Sequence, residues 1–466
     1  TEIYTLSLHD ALPIYIPVIS SIIYTIKIEK GYLMGIFSNN VMGFYNPDLQ
    51  NTKIADFPRY DFAKPVKPQA RYLTPVAWAL SFPDVLKHKA KISRNLQGVK
   101  PPYIMLCNHN SFLDFKVMTA ALFPRRANYV VALDGFIGRE GIMRMVGCIS
   151  KRKFVNDLHL IRQTTRLLDQ GQIVVYYPEA RYSHIGTNSV LPESLGKMLK
   201  YLQVPVVTLL FHGHHIAEPA WNQVHRIVPV EAEMDLLLTK DQIDQLSPAE
   251  IQEKVTEALV FDGYAWQYQN QVRVEFPQRA EGLHRVLYQC PHCGTEYKMR
   301  SEGAQLSCAA CGKVWELTEY GQLQALQGET EFNSPPAWYE WQRANVRAEV
   351  RAGTYGMESE VLIDSLPNSR GFVQLGKGWL RHDMNGIVLK GSHLGEDFEV
   401  VKSNQSLYSI HVEYNYIDKK RDCVDVSTLE DTYFAYPLAE NTSVTKIALA
   451  VEELYLLEME IGRAHV

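Results

Sequence analysis

The chain lacks any uncharged apolar run near the ~20 residues that a membrane-spanning helix needs. Its longest candidate, "IPVISSIIYTI" at 16–26, falls well short, so no transmembrane helix is expected. Cysteine is scarce: there are seven in 466 residues, and Cys107, Cys148 and Cys423 are scattered. That excludes a disulfide scaffold and suits a reducing compartment. Neither sign of charge dominates, with 47 Lys and Arg against 52 Asp and Glu and a net charge of -5. A protein that binds nucleic acid over its whole surface is therefore disfavoured. Long repeats and low-complexity tracts are missing as well. What is present is an apolar content of 46%, enough for a sizeable core, and length for two or three domains.

Both ends are set aside from the fold. Residues 1–14, "TEIYTLSLHDALPI", read as a translated sequencing adapter, and 461–466, "IGRAHV", as the opposite adapter. Met34 or Met42 is then a candidate start, with 16–26 as upstream read-through.

From about 72 to 230, short apolar runs alternate with helical periodicity. "YIMLC" (103–107), "ANYVVAL" (127–133), "QIVVYYP" (172–178) and "VPVVTLLF" (204–211) read as strands; 111–123 and 157–171 read as helices. This alternation predicts an α/β domain with a mostly parallel sheet, placed at 44–270. Seven short strand patterns follow 357, ending in an amphipathic helix. On that helix Val444, Ile447, Ala448, Val451, Leu454 and Tyr455 share a face. A mainly-β unit at 335–460 is expected, a pleckstrin-like barrel capped by the helix.

The stretch "LCNHNSFLDF" (106–115) turns abruptly polar after an apolar strand. Ser111 and Asp114 have capping-box spacing and explain it without chemistry. The same geometry lets the Asp114 carboxylate reach back to His109. It would then fix the imidazole tautomer and leave the other ring nitrogen as a general base for a hydroxyl.

"NHNSFLD" resembles the NHxSxxD signature of the glycerolipid acyltransferase family, and three further blocks follow in order. "GCISKR" (147–152) resembles the second block, whose Arg meets the acceptor phosphate; Arg152 matches it, flanked by Lys151 and Lys153. "YYPEARYS" (176–183) resembles FPEGTRS, with Pro178, Glu179 and Ser183 in place. There Ala180 stands for the Gly, Arg181 is one position early and Tyr182 occupies the Arg position. Val204-Pro205 opens the fourth block. The resemblance implies transfer of a fatty acyl group from an acyl-carrier-protein or acyl-CoA thioester to a lysophosphatidate, glycerol phosphate or related lysolipid hydroxyl. It makes His109 and Asp114 catalytic, and places Asn108, Ser111, Arg152, Glu179 and Arg181 at the substrate. It implies no catalytic metal. His212 and His214, two apart in "FHGHHI", are expected on one strand face rather than around a metal.

"CPHCG" (290–294) and "CAACG" (308–312) place Cys290, Cys293, Cys308 and Cys311 as two C-x2-C pairs. Four thiolates at this spacing suit a closed tetrahedral zinc. A zinc ribbon at 283–325, structural rather than catalytic, is expected. Residues 64–100 carry eight Lys and Arg against Asp84 alone, interleaved with Trp78 and Phe82. Such a surface suits anionic lipid, and peripheral association with the cytoplasmic face of the cell membrane is expected. The rival reading is a catalytically inactive lipid-binding or regulatory module that uses the ribbon and C-terminal unit to recruit partners.

Overall fold

The computed structural model describes residues 45–222, 224–419 and 421–464. The expectations placed on 1–14, on 16–26 and on Met34 or Met42 lie outside the described residues. Among the described residues no helix is long and apolar enough to cross a membrane.

The first unit is a seven-stranded sheet in the order β1-β7-β6-β2-β5-β3-β4. Its strands are β1 (Lys91–Asn95), β2 (Tyr103–Cys107), β3 (Ala127–Ala132), β4 (Ile149–Lys151), β5 (Ile173–Tyr176), β6 (Val206–His212) and β7 (Glu231–Leu238). Every neighbouring pair is parallel except β6 with β7. β2 and β5 are buried along their whole length, because helices cover both faces. Alternation along β2 sends Ile104 and Leu106 toward the helices Leu158–Asp169, Ser194–Leu202 and Pro248–Ala258. Tyr103, Met105 and Cys107 go to the opposite face, toward Leu113–Leu122. Asp157 caps the first of these helices, its side chain accepting from the His159 N–H at 2.7 Å. Gly171, at φ 73°, ends the turn beyond it.

The cysteine-bearing unit is a four-stranded antiparallel sheet in the order β11-β10-β9-β8. It comprises β8 (Met299–Glu302), β9 (Gln305–Cys308), β10 (Val314–Leu317) and β11 (Leu323–Ala325). It rests on the helix Pro335–Arg351, where Trp338 donates to the Gln289 carbonyl at 2.8 Å and packs edge-on against Trp315.

The last unit is an antiparallel sheet of β12 (Gly356–Ser365), β13 (Val373–Asp383), β14 (Gly386–His393), β15 (Glu396–Lys402), β16 (His411–Tyr416), β17 (Arg421–Ser427) and β18 (Thr432–Pro437). Its order is β15-β14-β13-β12-β18-β17-β16, so the first and last hairpin runs meet along β12 and β18. The helix Val444–Ala464 packs against it. The six residues expected on one face of that helix are buried, but so are Leu449, Ala450, Glu452 and Glu453. The helix is covered on a second side by Pro335–Arg351, and the acids there are paired: Arg343 to Glu452 at 2.7 Å, Arg347 to Glu453 at 2.7 Å. One contiguous buried cluster runs from β2 through Trp315 and Trp338 to Tyr414 and Leu454, so the three units share a core.

Candidate active site

The site is built where β2 ends. Asn108 ties that end to β6: its amide donates to the Phe211 carbonyl at 2.9 Å and accepts the Phe211 N–H at 2.8 Å. It is fully buried, ties the two strands together and lies outside the residues that line the cavity described below. The chain then turns into the helix Leu113–Leu122. Ser111 Oγ accepts the Leu113 N–H, and Asp114 returns its carboxylate to the turn. Three donors converge on Asp114 Oδ2: His109 Nδ1 at 3.0 Å, the Asn110 N–H at 2.7 Å and the Ser111 N–H at 3.2 Å. The cap and the catalytic pair expected from the sequence are thus one arrangement.

A fourth donor was missed. His214 Nδ1 lies 2.6 Å from Asp114 Oδ1, with both side chains buried. β6 stops at His212, and Gly213 at φ 82° swings the chain into a short helix. His212 and His214 therefore do not share a strand face. A glycine between the histidines was the available signal, since only a left-handed turn there needs one. Burial pushes the Asp114 carboxyl up, but the bonds from His109 and His214 outweigh it and hold the carboxyl below its usual range. With Nδ1–H pointing at Asp114, His109 keeps the Nε2 lone pair free to accept a proton. Its ring stacks on Tyr177 with centroids 3.9 Å apart, and Tyr182 lies 4.4 Å away on a tilt.

His109 and Ser111 line a cavity of about 1420 Å³. Much of its wall is apolar, including Phe112, Phe115, Val131, Ile142, Leu160 and Met198. Arg139, Lys151 and Lys153 line it too, and so do Tyr408, His411, Glu413, Asn415 and Tyr416 of the C-terminal sheet.

The expected phosphate ligand Arg152 is not in this wall. It is 4% exposed. Its Nη1 donates to the Leu366 carbonyl and Thr432 Oγ1, both at 2.9 Å, and Nη2 to the carbonyls of Pro367 (3.0 Å) and Glu430 (2.7 Å). Residues alternate in the extended chain after β4, so Lys151 and Lys153 face the cavity and Arg152 faces the C-terminal sheet. Lys153 pairs with Asp134 at 3.0 Å. In the third block, Ala180 takes the left-handed conformation (φ 54°) that a glycine would accept more cheaply, so the turn survives the substitution. The one-residue shift sends Arg181 to Glu452 at 2.6 Å and Ser409 at 3.2 Å, while Tyr182 lies over His109. Glu179 is buried and held by Ser189, whose N–H and hydroxyl donate at 3.2 and 3.1 Å. It is a fastener of the loop, outside the cavity wall.

Residues 86–212 match the protein-family profile described as Acyltransferase. These residues form an acyltransferase-family domain within the chain. The acyltransferase domain thus contains the His109–Asp114 pair and both flanking strands. A similar solved structure is the 1-acyl-sn-glycerophosphate acyltransferase from Thermotoga maritima: 13% identity, 41% of this chain and 79% of that chain covered, TM-score 0.33. No curated protein matches the chain.

Outside the acyltransferase domain, the Sγ atoms of Cys290, Cys293, Cys308 and Cys311 lie within 4.8 Å of one another. The Cys290–Cys311 and Cys293–Cys308 separations are 3.8 Å. Sulfurs about 2.3 Å from a common tetrahedral centre stand about 3.8 Å apart, so these thiolates could hold a metal ion.

Proposed function

We propose that the protein moves a fatty acyl group from an acyl-carrier-protein or acyl-CoA thioester to the hydroxyl of a glycerol phosphate, lysophosphatidate or related lysolipid. The observation that carries this reading is His109, oriented by Asp114 and facing a large, mostly apolar cavity. His109 Nε2 takes the hydroxyl proton as the oxygen attacks the thioester carbonyl. The C–S bond then breaks, and the leaving thiolate takes the proton from the imidazolium. Asp114 balances the imidazolium charge between these steps. Arg139 and Lys151 line the cavity where Arg152 does not, and they are read as the cations that meet an acceptor phosphate.

The four-cysteine cluster is read as a structural zinc ribbon, and the C-terminal sheet with its terminal helix as a pleckstrin-like barrel. Exposed Tyr72, Leu80 and Leu86 beside Arg71, Lys87 and Lys89 support docking on the cytoplasmic face of a membrane. The test is thioester-dependent acylation of lysolipids by purified protein, with His109→Ala alongside. Loss of transfer in a folded variant supports the enzyme. Lipid binding without transfer in either protein would instead favour the inactive binding module.

A further inference from the structure

The polar end of the cavity is made by two units. The acyltransferase domain contributes Asp134, Arg139, Lys151 and Lys153, and β16 contributes His411, Glu413 and Asn415. Tyr182 joins this end to the catalytic pair, because it lies against His109 and within Coulombic reach of both Asp134 and Glu413. An acceptor hydroxyl at His109 therefore places its headgroup among these residues.

Three features set the chemistry of that end. The first is the withdrawal of cations. Arg152 is spent on four acceptors of the C-terminal unit, Arg181 on Glu452 and Ser409, and Lys153 is partnered by Asp134 with Asp425 at 3.6 Å. Second, carboxylates enter where a bare phosphate would repel them: Asp134 and Glu413 both line the cavity. Third, His411 is 4% exposed, its Nε2 bonds Glu413 Oε1 at 2.7 Å, and its Nδ1 has no partner among the described residues. Nε2 donates to the carboxylate, so Nδ1 carries a lone pair and awaits a donor. Burial, with Lys153 beside it, holds this imidazole below its usual range, so it stays neutral.

The backbone is shaped for this task. The β16–β17 ladder slips register between Glu413 and Tyr416, and Asn415 and Ile417 take left-handed conformations at φ 53° and 49°. A β-branched residue there costs on the order of 1–2 kcal/mol. Strain of this kind is held by its surroundings and clusters where side chains must be aimed.

We propose that Asp134, His411 and Glu413 form a headgroup subsite for a protonated amine. The acceptor would be a lysophospholipid whose phosphate is esterified to an aminoalcohol, with Lys151 and Arg139 meeting the phosphate. This rests on the acyl-transfer reading above and narrows its substrate class.

The test uses the full chain and four lysolipids that differ only in headgroup: phosphomonoester, phosphoethanolamine, phosphocholine and phosphoglycerol. Transfer is measured as kcat/KM, and binding is measured separately on His109→Ala. The ethanolamine ester is expected to exceed the phosphomonoester by about tenfold or more, the size of one charged hydrogen bond in a buried site. The choline ester, which has no N–H to offer, falls below it. Glu413→Gln and His411→Phe, each checked for cooperative unfolding, shrink the ethanolamine preference several-fold. A preference for the phosphomonoester or the glycerol ester overturns the proposal, as does discrimination that neither variant changes. If nothing is acylated but His109→Ala still binds the ethanolamine ester preferentially, the transfer reading fails and the subsite stands. Equal binding of all four overturns the subsite.

Discussion

Asp114→Asn separates what this carboxylate contributes by charge from what it contributes by orientation. Among the described residues, three donors meet at Oδ2 and only His214 meets Oδ1. The asparagine carbonyl will therefore take the Oδ2 position, and its NH2 will face His214. His109 keeps its tautomer, while His214 must present a lone pair and move its proton to Nε2, a buried atom with no partner among the described residues. The lost quantity at His109 is then mainly the attraction between the carboxylate and the imidazolium formed in transfer. Two unit charges about 4 Å apart at an effective dielectric of about 20 attract by about 4 kcal/mol. That is about a thousandfold in kcat. Single-turnover transfer at saturating acceptor measures it, with acceptor KM nearly unchanged. A loss beyond about 10⁵ would mean that the imidazole has inverted its tautomer, so that the division of labour between the two oxygens is wrong. A loss below about tenfold would remove Asp114 from the electrostatics altogether.

Arg152→Leu should remove the donor shared by the Leu366, Pro367 and Glu430 carbonyls and Thr432 Oγ1 and lower stability by about 3 kcal/mol, read from urea unfolding; a raised acceptor KM with unchanged stability would return Arg152 to the substrate. Glu179, whose carboxyl burial pushes up to about 8, is protonated in the folded state where the unfolded chain ionises. The native state then binds the extra proton between about pH 4.5 and 8, so this group's contribution falls as pH rises through that window, by up to about 1.4 kcal/mol per unit. Glu179→Gln should flatten that fall, gaining on the parent at pH 8 relative to pH 5; parallel pH profiles would refute it. Metal analysis should find about one zinc per chain, and a strong chelator should lower the melting temperature and loosen the Trp338–Gln289 contact seen by tryptophan fluorescence. A chelator-insensitive melt with no bound metal would leave the cysteines as free thiols.

What could be read from the sequence follows the separation of the partners. His109 and Asp114 are five residues apart, and a strand end followed by a helix start fixes their meeting. The cysteine pairs carry their own turn geometry, and the apolar runs of β2, β5 and β6 are buried strands. Arg152 turns away from the cavity to acceptors more than 200 residues on, at Leu366 and Glu430, whereas Arg181 lines the cavity while pairing with the equally distant Glu452. No local pattern says which of three successive basic residues faces a cavity whose far wall is β16. The same contacts bear on whether the acyltransferase domain is a module. Cut from 335–460, it would expose or strand two guanidiniums now bonded to that unit, and stranding a buried charge costs about 3–5 kcal/mol. It would also lose Tyr408, His411 and Glu413 from the cavity wall. The C-terminal unit is therefore part of the cavity's architecture, and under the proposed function acceptor choice would depend on both units.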